Sequence, residues 1–403
     1  MPEGTGSPES ARAPRRTASQ SAALNRYRQN RIEREVKHRL GGVLAAIALI
    51  VVALAVAGCG GGSDEGASRD KKLDEALEKI DKELEKQGPL VGLGEASPPP
   101  PDAAQWETDF SKQLVPLEEF LSGGPPKDGI PAIDEPHYTR AEQVDFLEDR
   151  EPVIEITVDG ESRAYPLQIL TWHEIVNARF GDTPVAVTFC PLCNTAIAFD
   201  RRVDGRVLDF GTTGKLRDSD LVMYDRQTES WWQQFGGEAL VGELGGKELR
   251  QLPARIVSWR EFRSMHPSGL VLNRDTGFAR DYGTNPYAGY DDIASPPIFA
   301  TRNEDDDRLP PKERVVYVEV GKEAFAVPFP ALVAKRTIEV ETDEGQLIVR
   351  WHSGVASALD SGAIAEGRDV GSASALLEGE PVPFSEPFWF AVAAFRPDIE
   401  IVD

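Results

Sequence analysis

Hydrophobic positions change their spacing three times along this chain of 403 residues. Residues 40–58, LGGVLAAIALIVVALAVAG, form a run of nineteen without a charge. At ~1.5 Å per residue a helix of that length just spans a bilayer core. Residues 69–87 place Leu73, Leu77, Ile80 and Leu84 at helical spacing in a charged background, which predicts a solvated helical spacer. Gly88-Pro89 ends it, and Pro98 to Pro101 make a stiff extended segment. The folded part is expected to begin near Trp106, with its body from about Asp128. Beyond residue 150 the period becomes two, the signature of half-buried strands.

The strand pattern occurs twice. EPVIEITVDGESRAYPLQIL (151–170) and ERVVYVEVGKEAFAVPFPAL (313–332) each read as strand, two-residue turn, strand and Pro-bearing exit. VAVTFC (185–190) is matched by LIVRWH (347–352), and WREFRSMHPSGLVL (259–272) by WFAVAAFRPDIEIV (389–402). The fold class expected is a β-rich α+β protein of two pseudo-repeated β units with short helices, preceded by a signal or anchor segment and a charged helical spacer. The organisation follows: a basic leader (1–39), the apolar segment (40–58), a tether with spacer and Pro-rich linker (59–127), copy 1 (128–275), a linker loop (276–312) and a degenerate copy 2 (313–403). Asp200 is followed by Trp259 in copy 1, and Asp360 by Trp389 in copy 2, so copy 1 carries about thirty extra residues. Within that insertion Asp225, Arg226, Gln227 and Thr228 read as a turn between LVMY and SWWQQ.

Composition refines this picture. The net charge is −23, from 44 basic and 67 acidic side chains. Nine Arg/Lys against four Glu in residues 1–39 give +5 there and leave −28 for the remainder. A chain so acidic lacks the basic face that phosphate binding needs, so no nucleic-acid partner is expected. Basic residues before the apolar run favour a cytoplasmic N-terminus and an exported remainder. Val56-Ala57-Gly58-Cys59 resembles a bacterial lipobox, in which the Cys is lipidated and becomes the mature N-terminus. The expected location is therefore the extracytoplasmic face of the cell membrane, with Cys59 as the lipid anchor. An uncleaved transmembrane helix is the alternative, and translation starting near Val36 would leave a compact basic region.

Three cysteines exclude a disulfide-stapled scaffold. Two of them form Cys190-Pro191-Leu192-Cys193, and copy 1 also holds Trp172-His173-Glu174. By simple offset His352 stands opposite Cys190 and Lys335 opposite His173, so thiols and imidazole are absent together from the copy that lacks the insertion. Two thiolates at this spacing can hold a soft cation such as Cu or Zn, with His173 as third ligand and His266 as a candidate fourth. The same pair can cycle between dithiol and disulfide, as in a thiol–disulfide oxidoreductase, or form a small structural disulfide in a non-catalytic surface binding module. All three readings stay open, with soft-metal binding in the lead, and whether the protein is an enzyme stays open with them. A thioredoxin fold is disfavoured because strand, not helix, follows the second Cys; c-type haem would need His where Asn194 stands. Were the site catalytic, Cys190, Cys193, His173, Glu174 and Asp225 would be its candidate groups. Trp172, Trp231, Trp232 and Trp259 read as core. Tyr282, Tyr287 and Tyr290, interleaved with Gly and Asn, read as an ordered loop beside the site. Serine-hydrolase elbow, phosphate-binding loop and HExxH motifs are absent.

Four stretches together, LTWHEIVN around His173, VTFCPLCNTAIAF (187–199), SDLVMYDRQTESWWQ (219–233) and NPYAGY (285–290), resemble the bacterial and archaeal domain-of-unknown-function family 3179. The resemblance covers roughly residues 128–300 and extends into copy 2. Members are often exported, which the resemblance implies here too. It implies no established activity, and no protein or small-molecule partner follows from it.

Overall fold

A computed structural model describes residues 97–403. The leader, the apolar run, Cys59 and the charged spacer lie outside the described residues. Copy 1 opens with the hairpin β1 (Pro152–Val158) and β2 (Glu161–Pro166), followed by helix α1 (Leu167–His173). Then come β3 (Ile175–Phe180), β4 (Thr183–Cys190) and β5 (Thr195–Asp200). The insertion contributes β6 (Phe210–Arg217), β7 (Asp220–Asp225) and β8 (Trp231–Gln233). Copy 1 closes with β9 (Ala254–Ser258), helix α2 (Trp259–Met265) and β10 (Leu270–Leu272).

Copy 2 repeats this order. Its hairpin is β11 (Val315–Val320) and β12 (Glu323–Pro328), then α3 (Phe329–Lys335), β13 (Thr337–Thr342), β14 (Gly345–His352) and β15 (Ser372–Leu377). It ends with β16 (Phe384–Ser385), α4 (Trp389–Phe395) and β17 (Glu400–Ile401). The register agrees residue by residue. Val153 faces Pro166 as Val315 faces Pro328, and the closing strand in each copy joins its hairpin in parallel, Leu270 on Arg163 and Glu400 on Phe325. Both first helices stop on a residue with positive φ, Glu174 and Arg336. The sequence offset that opposes Cys190 to His352 is thus the structural one: these residues end β4 and β14.

The two-unit expectation is coarser than the fold. Each copy builds two large sheets and the insertion builds a fifth, giving five sheets of four or five strands, beside one two-stranded ribbon (Arg202–Val203 with Arg206–Val207), in a five-blade, propeller-like arrangement with four short α-helices among the described residues. The insertion forms its own sheet because its strands pair with one another, β6 with β7 and β7 with β8, and not with the repeat strands. Trp106, Phe110 and Phe120 pack edge-on against Trp231 of that sheet. Packing therefore starts at Trp106. One apolar cluster runs through both copies and the insertion, and it contains Cys190 and Cys193. No helix among the described residues is long and apolar enough to cross a membrane.

Candidate metal centre

The two thiols are positioned by a hairpin end. Cys190, the last residue of β4, pairs across the ladder with Thr195, the first of β5. The four residues between them fold back so that Cys193 lies inside the core. Asn194 takes a positive φ of 58°, a conformation Asn tolerates better than most residues. Distant segments pin the turn at three points, one through a side chain and two through backbone carbonyls. Asn194 Nδ2 donates to the Glu386 carbonyl at 2.7 Å, Phe388 N–H donates to the Cys193 carbonyl at 2.9 Å, and the Tyr290 hydroxyl donates to the Leu192 carbonyl at 2.9 Å.

A third group arrives from the insertion. Strands β6 and β7 are joined by Asp218 and Ser219, with φ of 53° and 59°, the two left-handed residues that a tight two-residue hairpin turn requires. This turn places Asp220 at the head of β7, against the cysteines. The Cys193 thiol lies 2.9 Å from Asp220 Oδ1 and 2.9 Å from Thr195 Oγ1. The other Asp220 oxygen accepts from Gln233 Nε2 at 2.6 Å and from Phe235 N–H at 2.9 Å. The Ser219 carbonyl is 3.9 Å from Cys190 Sγ. One ligand atom from each of Cys190, Cys193 and Asp220 falls within 4.8 Å of the other two, and all three residues are at most 1% exposed. Both cysteines are free thiols.

Electrostatically the cluster is unusual. Burial pushes both thiols upward, Cys193 strongly. Burial raises Asp220 to about 6, even though its hydrogen bonds favour the charged form. Glu174, next in the chain after α1, is raised to about 8 by burial and by the neighbouring Asp220 charge. Its carboxylate makes no hydrogen bond or ion pair with another described residue, and it is 7% exposed. Among the described residues no basic side chain forms a salt bridge with any of these four acids. Four acidic groups buried together without a countercharge carry a large desolvation cost once ionised.

His173, expected as a third ligand, lies outside the Cys190–Cys193–Asp220 group. Its Nδ1 lies 2.7 Å from the Pro131 carbonyl and its Nε2 lies 2.6 Å from the Tyr282 hydroxyl. A carbonyl only accepts, so Nδ1 carries the proton and Nε2 accepts from Tyr282. Burial lowers the His173 pKa and keeps the ring neutral. Both nitrogens are thereby engaged away from the thiols. Replacing His173 by Ala should cost about 1–3 kcal/mol of stability through the orphaned partners, with metal stoichiometry unchanged; thermal melting and elemental analysis of the variant check this.

Two further candidates also sit elsewhere. His266 Nε2 is 2.7 Å from Glu155 Oε1, which belongs to an ion pair with Arg255 on the β1–β9 ladder. Asp225 closes the insertion turn, accepting from Thr228 N–H at 2.7 Å and from Trp232 Nε1 at 2.9 Å. Glu174 does stand beside the cluster. Asp220 is the residue that sequence reasoning missed. Its signal was the turn-forming Asp218-Ser219 pair, inside a stretch already noted for other reasons.

A family described as "Protein of unknown function (DUF3179)" matches residues 127–399. The chain belongs to this family. No curated protein and no solved structure matches it. The four DUF3179-like stretches, separate in sequence, meet in space: the first supplies Glu174, the second Cys190 and Cys193, the third Asp220 and Gln233. The fourth supplies Tyr290, whose hydroxyl holds the cysteine turn, and Tyr287, whose pKa the charges of Glu174 and Cys190 help to raise.

Proposed function

We propose that this DUF3179 protein binds a borderline-soft metal ion, best suited to Zn(II), through Cys190, Cys193 and Asp220, with Glu174 beside the ion. The observation that carries the reading is the set of buried acids without a basic partner. A divalent cation supplies the missing countercharge, and two thiolates with one carboxylate oxygen match Zn(II). Cu(I) prefers all-soft donors, so the carboxylate weighs against it. On binding, Zn²⁺ displaces one proton from each thiol, with Asp220 already ionised above pH ~6.

Two observations weigh against thiol–disulfide exchange. Burial raises both thiols, whereas the attacking species is a thiolate, and neither sulfur is open to a protein disulfide. A structural disulfide would not account for the pairing of Cys193 with Asp220. The expected setting is an extracytoplasmic lipoprotein held to the membrane through Cys59; mass spectrometry of the native protein should show a diacylated Cys59 as its N-terminus.

The test is competition for zinc against a chromophoric chelator across pH. Two thiol protons released per ion, with part of a third from Glu174, predict a single site whose apparent affinity rises at least about a hundredfold per unit between pH 7 and 8. An affinity independent of pH in that range, or no competition at all, contradicts the reading.

A further inference from the structure

A centre this enclosed raises the question of entry, because a cation or reagent must cross a closed wall to reach Cys190, Cys193 and Asp220. We infer that residues 292–302 form a strap over the centre and that the Asp218–Arg302 ion pair is its latch. This inference concerns access to the centre proposed above as a metal site.

The remaining walls are poorly suited to move. The cysteine turn and the Asp218-Ser219 turn each close a paired hairpin, and Cys193 is fixed by the Phe388 N–H. By contrast, no helix or strand occurs between β10 and β11. Ile293 and Ile298 of the strap are 42% and 65% exposed, so few apolar contacts hold it down. Pro296-Pro297 stiffens its middle, which favours movement as one piece.

The strap spans the two sides of the centre and is fastened to each. On the insertion side, the Asp218 carboxylate accepts from Arg302 N–H at 2.8 Å, Nε at 2.9 Å and a terminal guanidinium nitrogen at 2.5 Å. Ser219 Oγ donates to the Phe299 carbonyl at 2.8 Å. On the linker side, buried Lys312 donates through Nζ to Ser295 Oγ at 2.8 Å and to the Tyr290 carbonyl at 2.5 Å. Both fastenings lie one step from the ligands. Ser219 precedes Asp220 and its carbonyl touches Cys190, while Tyr290 holds the Leu192 carbonyl between the two cysteines. Arg302 is half exposed and can swing into water, and Asp218 then keeps Arg217 Nη1 at 4.0 Å as its remaining cation.

The test uses the full chain, reduced and metal-free, with alkylation of Cys190 and Cys193 by an excess of a small thiol reagent followed peptide by peptide in a mass spectrometer. Arg302→Met should quicken alkylation of both cysteines about tenfold, with Arg302→Lys between it and wild type. Arg260→Met, which breaks a surface pair with Asp149 remote from the strap, should not change it. An unchanged rate in Arg302→Met, or an equal increase in Arg260→Met, overturns the strap. Because this assay needs no metal, a failure to bind zinc leaves it standing. If zinc does bind, its release to excess chelator should quicken by the same factor in Arg302→Met while equilibrium affinity stays within about twofold.

Discussion

Stripping metal from the native protein with a strong chelator should lower its melting temperature by about 10 °C at pH 7.5, and readdition of Zn(II) should restore it. An ion held at a thousand times its dissociation constant stabilises the folded state by about 4 kcal/mol. In a folded unit of this size each kcal/mol shifts the midpoint by ~2–4 °C. Cys190→Ser and Asp220→Asn should melt near the chelated value and ignore both chelator and zinc. The direction follows from the acids themselves: without the ion the ionised Asp220 is buried without a basic partner while the thiols keep their protons, and with it all three become ligands. Melting curves unaffected by chelator in the wild type contradict this.

The second large effect concerns Glu174→Gln in the metal-free protein. Burial and Asp220 raise Glu174 to about 8 in the folded state, against an ordinary value near 4.5. Between those limits the folded chain keeps a proton that the unfolded chain has lost, so stability falls as pH rises from about 4.5 to 8. Gln is neutral throughout, and no hydrogen bond of the Glu174 carboxylate is sacrificed by the change. The variant and wild type should therefore melt together at pH 4, while at pH 8.5 the variant should melt several degrees higher, each pKa unit being worth roughly 1.4 kcal/mol. Raised Asp220 and Glu386 give the same slope, and depressed His173 and His352 oppose it below neutrality. Those groups are common to both proteins, so the difference between the two curves reports Glu174 together with its coupling to Asp220 and Cys190. Saturating zinc should narrow the gap, since a nearby cation favours the carboxylate. Parallel curves from pH 4 to 8.5 would show that Glu174 titrates normally.

Much of the architecture was legible because it is local. Alternation at period two, a turn at each hairpin tip and a Pro at each exit belong to a few consecutive residues. The repeat made them readable twice, down to the opposition of Cys190 and His352. The fifth sheet was not legible as such. The turn at Asp225 made the β7–β8 hairpin visible, but nothing in the insertion says that this hairpin joins β6 in a sheet separate from the repeat strands. The centre was legible in part for the same reason. Cys190 and Cys193 stand out because cysteine is scarce, and their spacing fixes a common turn. Asp220 was one of 67 acidic residues, and only the left-handed turn before it aims its carboxylate at Cys193. His173 looked like a ligand by residue type. Its ring was already committed to Pro131 and Tyr282, partners that lie far off in sequence and that no local pattern reveals.

Elemental analysis of the chain isolated without chelator reads the central claim most directly. The account expects one zinc per wild-type chain, lost in Cys190→Ser, Cys193→Ser and Asp220→Asn but kept in His173→Gln and His266→Gln. A wild-type chain that holds no metal after zinc loading and dialysis, or the same metal content in the cysteine variants, would contradict it.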